Sequence, residues 1–294
     1  MPDLISVVIP THNRCERLRQ AIESVRTQSW KDLEIIVVDD ASTDGTPALM
    51  AELSTIEPRI RHIRNAVSLG GGGARNAGIA AARGEYVAFL DDDDLWLPEK
   101  LQCQHAILKA DGSAAAVSCS FILSAPGRPE VTRTLSAPAD LQALLRKNLL
   151  GGASVCLTTR TRLREIGGFD PALRSCQDWD LWLKLFARGS TPVCARALVR
   201  YVTHDDGRIT GNHDSEYRGR RTIHLRYKPL MDAYTRRYSL CELLFFRRVL
   251  FCRGRARLRG LLSLFVAAQG VNKIRFPNRL ARILLRSRMP QPLI

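Results

Sequence analysis

The sequence predicts an α/β protein: a mostly parallel sheet flanked by helices, with a basic helical C-terminal extension. Three observations carry this. Apolar runs of strand length alternate with segments of helical period through the first half of the chain. Two of the buried runs end in carboxylates, at Asp39-Asp40 and Asp91 to Asp94. Charge is the third. Residues 207–294 hold 20 Lys and Arg against 4 Asp and Glu, a net +16, while the remaining 24 and 25 nearly cancel. Residues 1–206 therefore read as the catalytic or binding domain. Residues 207–294 read as a basic helical region suited to an anionic surface.

Leu4 to Pro10 is apolar on both faces, as a central parallel strand is. Asn13 and Glu16 have capping-box spacing, and Leu18, Ala21, Ile22 and Val25 follow at helical period. Leu33 to Val38 is a second buried strand, which completes a βαβ unit. A Ser42–Gly45 turn, a helix over Thr46–Leu53 and a short strand over Ile60–Ile63 come next. Ala74–Ala82 is an Ala-rich helix, and Glu85–Leu90 a fourth strand. Pro98 suits the first turn of a further helix. Ala114–Leu123 and Ser154–Thr159 read as strands, Ala125–Ala139 as a Pro- and Gly-rich loop, and Leu141–Leu149 and Asp178–Arg188 as helices. Val199–Val202 closes the sheet. From about Arg208 the chain is basic and helical.

Ligands of open α/β sheets bind outside the carboxyl ends of the strands, so Asp39, Asp40 and Asp91 to Asp94 converge on one crevice. Four adjacent Asp repel one another unless a cation relieves them, and hard oxygen ligands favour Mg²⁺ or Mn²⁺. Leu69 to Asn76 is a glycine run feeding a helix. Its amides and Arg75 suit a phosphate, and a flexible turn with a surface Arg fits the same residues equally well. On its residues alone Asp178 also fits an N-cap carboxylate. Neither a G-x-G-x-x-G nor a P-loop pattern occurs.

Six segments in order resemble glycosyltransferase family 2: Ser6 to Arg14, Val37 to Thr46, Gly73 to Gly78, Gly84 to Asp94, Gly167 to Asp170 and Gln177 to Trp182. The resemblance covers residues 5 to about 190 and implies a GT-A fold. It also implies an inverting, metal-dependent transferase of hexosyltransferase type that moves a sugar from a nucleotide-diphosphate sugar, a UDP-sugar above all. By matching motifs, Pro10, Thr11, His12 and Asn13 line the nucleoside pocket and Asp40 lies near the base. Asp92 and Asp93 fall in the DXD region, with Asp93 the metal ligand and Asp91 its assistant. Asp178 matches the general base. Arg75 and Asp92 are counted with the nucleotide-sugar contacts. Two departures stand out: Gln177 replaces the usual acid, and the acidic run has one Asp more than the motif needs.

A sugar-phosphate nucleotidyltransferase also uses metal and strand-end acids, but it wants a Gly-rich loop with a Lys or Arg after the first strand. Here Pro10-Thr11-His12-Asn13 follows. A non-catalytic protein binding membrane or nucleic acid through the tail is the other rival. No helix-turn-helix, RNP-like or zinc motif is present, so nucleic acid is not the expected partner. The expected acceptor is a glycan or a lipid-linked sugar. In the tail, Leu258, Leu261, Leu262, Phe265 and Ala268 fall on one helical face amid Arg, which predicts docking to anionic lipid.

The start, Met1-Pro2-Asp3-Leu4, lacks signal-peptide features, and Leu261–Ala268 is too short to span a bilayer. The 8 Cys show no C-x-x-C pair and read as reduced thiols. The expected location is cytoplasmic, with peripheral attachment to the inner face of the plasma membrane as the role of the tail.

Overall fold

The computed structural model describes residues 3–202 and 213–247. They fall into two units, one within Met1–Asn212 and one within His213–Ile294. The first runs β1 (Ile5–Thr11), α1 (Cys15–Arg26), β2 (Leu33–Asp39), α2 (Thr46–Ile56), β3 (Ile60–Arg64), α3 (Gly70–Ala81), β4 (Tyr86–Phe89), β5 (Asp94–Trp96), α4 (Lys100–Ala110), β6 (Ala116–Ala125), β7 (Arg128–Arg133), α5 (Leu141–Arg146), β8 (Leu157–Thr159), α6 (Arg160–Ile166), α7 (Gln177–Phe186) and β9 (Val193–Val202). The second contains α8 (His213–Tyr227) and α9 (Ala233–Phe245).

The strand order is β3-β2-β1-β4-β8-β6-β9-β5, with β7 added to β6. β1 to β4 are parallel to one another. The second half is mixed: β8 is antiparallel to β4 and β6, β9 is parallel to β6, and β5 is antiparallel to β9. All seven residues of β2 are buried, as its apolar run requires. Register pairs Thr11 with Asp39 and Val8 with Phe89, so β1, β2 and β4 end along one edge of the sheet. α3 lies tight on β1. A Cβ on Gly78 would come 2.3 Å from Val8 Cγ1, so only glycine fits there.

Several expectations are corrected. There is no capping box at Asn13: α1 starts at Cys15 without a side-chain cap. Asn13 instead takes φ +55 and clasps the next loop, its amide donating to Ser42 Oγ at 3.0 Å and its Oδ1 accepting from Thr43 N at 2.7 Å. The glycine run does not merely feed the helix predicted from Ala74 but forms the first turn of α3, which starts at Gly70. β5, β7 and α6 were not expected, and β9 begins six residues earlier than its predicted start. α5 stops at Arg146, three residues short of its predicted end.

In the second unit Ile223, Met231, Cys241, Phe245 and Phe246 are buried, and His224 Nδ1 lies 2.9 Å from Ser239 Oγ. Asp232 caps α9, accepting from Thr235 N at 2.6 Å. The predicted stripe Leu258–Ala268 lies outside the described residues. No helix among the described residues is long and apolar enough to cross a membrane. The seven described cysteines are free thiols.

Candidate active site

The edge formed by β1, β2 and β4 gathers the residues singled out in the sequence. Asp40 sits just past β2 and is buried. Its carboxylate accepts from Asn65 Nδ2 and Leu69 N, both at 2.8 Å, from Ser68 Oγ at 2.7 Å and from Gly70 N at 2.9 Å. Burial opposes its ionisation, but these donors win and hold its pKa below the usual carboxylate value. The charge also faces the N-terminus of α3, which is how a glycine-rich turn becomes helical. The side chain expected beside the base is thus fully engaged by the 65–70 segment.

His12 and Asn13 project from the end of β1 and are exposed. His12 Nδ1 donates to the Asp40 carbonyl at 2.7 Å, which leaves Nε2 to accept from Asn13 Nδ2 at 3.2 Å. Pro10 pairs with Val38 in the sheet. Thr11 points into the acidic turn, and its hydroxyl donates to Asp92 Oδ2 at 2.8 Å.

The turn after β4 splits its four acids into two sets. Asp92 turns inward. Besides Thr11 it accepts from Arg14 Nη1 at 2.9 Å, and the same nitrogen reaches Asp93 at 3.1 Å. Burial pushes the Asp92 carboxyl up to about 6, against the pull of Arg14. Asp91, Asp93 and Asp94 face one another, each with a carboxylate oxygen within 4.8 Å of the others. Asp91 and Asp93 are partly exposed, so an ion can reach them. Three hard oxygen donors at this spacing fit Mg²⁺ or Mn²⁺. The extra acid therefore has a place: Asp94 joins the cluster and Asp92 leaves it. Ser154, the pivot beneath, accepts from Asp91 N at 3.0 Å and donates to Asp94 Oδ2 at 2.6 Å.

On the far side stands the start of α7. Arg75 of α3 connects it to the turn: Nη2 bonds Asp91 and Nη1 donates to Gln177 Oε1 at 3.0 Å, while the guanidinium lies 5.2 Å from the Phe169 ring centre. Asp178 lies within electrostatic reach of Arg75. Burial raises the Asp178 pKa, opposed by the backbone N–H of Trp179 and by Arg75. Asn148 Nδ2 donates to its Oδ2 at 3.1 Å. Asp180, by contrast, is spent on Lys184 at 2.8 Å. The two indoles of α7 fasten the helix to the 144–151 segment, Trp179 Nε1 to Leu144 O at 2.8 Å and Trp182 Nε1 to Gly151 O at 2.9 Å.

Sequence reasoning did not single out Arg14, Asp94, Asn148, Ser154 or Tyr201. Arg14 and Asp94 lie inside the quoted segments, so their charge was a usable signal. Asn148, Ser154 and Tyr201, whose hydroxyl accepts from Gly152 N at 3.1 Å, arrive from distant parts of the chain with none.

Residues 6–163 match the family model for glycosyl transferase family 2. The chain is 32% identical over 191 residues to the putative teichuronic acid biosynthesis glycosyltransferase TuaG of Bacillus subtilis (strain 168), covering 64% of this chain and 74% of that one. Among solved structures it resembles S. aureus TarS 1–349 in complex with UDP-GlcNAc, with TM-score 0.69 at 19% identity over 91% of this chain and 81% of that one. It also resembles the mannosyltransferase PcManGT from Pyrobaculum calidifontis in complex with GDP-Man and Mn²⁺, with TM-score 0.63 at 20% identity over 96% and 80%. At these identities the structural likeness is one of fold, the GT-A arrangement.

Proposed function

Because the chain belongs to glycosyltransferase family 2, we propose that it moves a sugar from a UDP-sugar to an acceptor hydroxyl with inversion, in assembling a cell-envelope polysaccharide or glycolipid. The observation that carries this reading is the Arg75 bridge. It ties the carboxylate cluster at one wall of the crevice to Gln177 beside Asp178 at the other. A donor diphosphate at the cluster would present its sugar C1 towards the base.

In this reading Asp178 takes the proton of the acceptor hydroxyl as that oxygen attacks C1. The C1–O bond to the diphosphate breaks on the opposite face, and the nucleoside diphosphate leaves with the electron pair. One displacement inverts the anomeric centre. The raised pKa of Asp178 makes it a stronger base than a solvated carboxylate. Asp91, Asp93 and Asp94 would hold a divalent ion, which when bound neutralises charge on the leaving diphosphate. Thr11 and Arg14 hold Asp92 and so fix the turn from behind. Pro10, His12, Asn13 and Asp40 line the end assigned to the nucleoside, and Arg75 serves the diphosphate.

We read the C-terminal region as the part that seats the enzyme on an anionic membrane face, where a lipid-linked acceptor would lie. Exposed Leu225, Leu230 and Tyr234 stand among exposed Arg226, Lys228, Arg236 and Arg237 in α8, α9 and the turn between them, which supports that role.

The test is a panel of nucleotide sugars, UDP-GlcNAc and UDP-glucose first and GDP-mannose after, assayed with Mn²⁺ and with chelator. Metal-dependent release of nucleoside diphosphate is expected. Release of pyrophosphate from a nucleoside triphosphate and a sugar phosphate would identify a nucleotidyltransferase instead.

A further inference from the structure

Beside Asp178 one side chain is held far more firmly than its loop position requires. Asn148 lies just past the end of α5, and its amide is used at both ends. Nδ2 donates to Gly151 O at 2.9 Å and to Asp178 Oδ2 at 3.1 Å, while Oδ1 accepts from Leu150 N at 3.1 Å. The same Gly151 carbonyl accepts from Trp182 Nε1 of α7 at 2.9 Å. The amide is thus locked into a brace between the 148–152 segment and α7.

We infer that Asn148 is the positioning residue of the transfer reaction: it tethers one oxygen of Asp178 so that the carboxylate faces the acceptor. The inference rests on the reading of Asp178 as the general base. Asp178 is the second residue of α7, where a carboxylate is drawn to the helix's own free N–H groups. A second tether from outside the helix selects one orientation. An amide suits the task, because it donates to the ionised form yet adds no charge and takes no proton. A Lys or Arg at this point would stabilise the carboxylate more and weaken it as a base.

The approach to Asp178 is shaped by the same segment. A Cβ on Gly152 would lie 3.0 Å from the Tyr201 hydroxyl and 3.9 Å from Asp178 Oδ2, so a side chain there would press on Tyr201 and stand beside the carboxylate. The charged groups that act on Asp178 are Arg75 of α3 and Asp91 of the turn after β4, and the Tyr201 hydroxyl of β9 packs against neighbouring Gly152. Asn148 is the member of this group that neither carries charge nor titrates.

The experiment is a double-mutant cycle in the full chain with Asn148→Ala, Asp178→Asn and both together. The readout is UDP release from whichever of UDP-GlcNAc, UDP-glucose and UDP-galactose turns over fastest. Asn148→Ala should lower kcat roughly 10-fold or more, since a small misplacement of a reacting group can cost up to 10²-fold. Donor KM should stay within about twofold, and in the Asp178→Asn background the added loss should be under about twofold. The acid limb of the rate profile should move to higher pH, because a donor to the ionised carboxylate is gone. Asn148→Asp should move it further and also serves if the alanine variant folds poorly. UDP affinity by calorimetry reports the fold. Wild-type kcat in Asn148→Ala, equal losses in both backgrounds, or a loss confined to KM would overturn the inference. Wild-type kcat in Asp178→Asn alone would remove the base itself, a failure read from that arm separately.

Discussion

Arg75 Nη1 donates to Gln177 Oε1 at 3.0 Å, where the family pattern has an acid. The guanidinium is almost wholly buried, and among the described residues its carboxylate partner is Asp91. A neutral partner orients Arg75 without adding a second counter-charge to that of Asp91, so in the proposed reading part of its charge would remain for a diphosphate. Gln177→Glu should therefore weaken donor binding roughly 3–10-fold, about 1 kcal/mol, with a smaller change in kcat. Calorimetric titration of UDP with Mn²⁺ checks this; unchanged or tighter binding would mean that Arg75 does not serve the donor.

Asp178→Asn should lower kcat roughly 10²–10⁴-fold and leave donor affinity intact. As the proposed base Asp178 would have to be ionised, and its pKa is raised. The wild-type rate should thus fall with acid at a higher pH than a solvated carboxylate would give, and stay level above it. Collapse of donor affinity with kcat preserved would make Asp178 a binding residue.

Asp93→Asn and Asp94→Asn should each abolish metal-dependent turnover and lower Mn²⁺ affinity, read by electron paramagnetic resonance. Asp92→Asn should spare Mn²⁺ binding, because its oxygens serve Thr11 and Arg14. Equal Mn²⁺ losses in all three would erase the division of the turn into two sets.

Glu57 tests the scaffold. At the end of α2 it accepts from Arg59 Nε at 2.9 Å and Nη2 at 2.8 Å and from Arg26 Nε at 3.2 Å. Its hydrogen bonds with Arg59 lead in lowering its pKa from 4.5 to about 2. A depressed folded pKa gives stability that is full above the unfolded value and is lost as pH falls through the folded one. Glu57→Gln should cost roughly 1 kcal/mol, or ~3 °C in Tm, at pH 7. The deficit should shrink between pH 4.5 and about 2. A deficit independent of pH would point to packing instead.

Liposome co-sedimentation of the full chain and of a chain ending at Gly207 tests the tail. Binding should need anionic lipid, fall with salt and vanish on truncation. Equal binding by both chains, or none by either, would refute the membrane role.

The sequence displayed what lies in long buried elements. β1, β2 and β4 were legible because both faces are apolar, and their terminal acids marked the crevice. β7 was not, since every one of its residues is exposed and its run carries no apolar alternation. β5 has three residues, too few for any period. The glycine turn of α3 was misread because propensity was outweighed by a carboxylate 29 residues away in sequence, that of Asp40 on Leu69 N. Asn148 sits in a loop and Ser154 in a single 3-10 turn (Ala153–Val155), and the meaning of both depends on which strand end they meet.

The first turn of α3 consists of residues that lose the most chain entropy on ordering, about 1 kcal/mol each relative to alanine. Its geometry is thus borrowed from Asp40, and Arg75 rides one turn further along the same helix. The two ends of the cleft are joined by a strut with little rigidity of its own. A ligand seated against the 65–70 segment would stiffen the strut, and with it the grip of Arg75 on Asp91 and Gln177. Occupancy at the nucleoside end would in this way be felt at the reacting end before any sugar arrives.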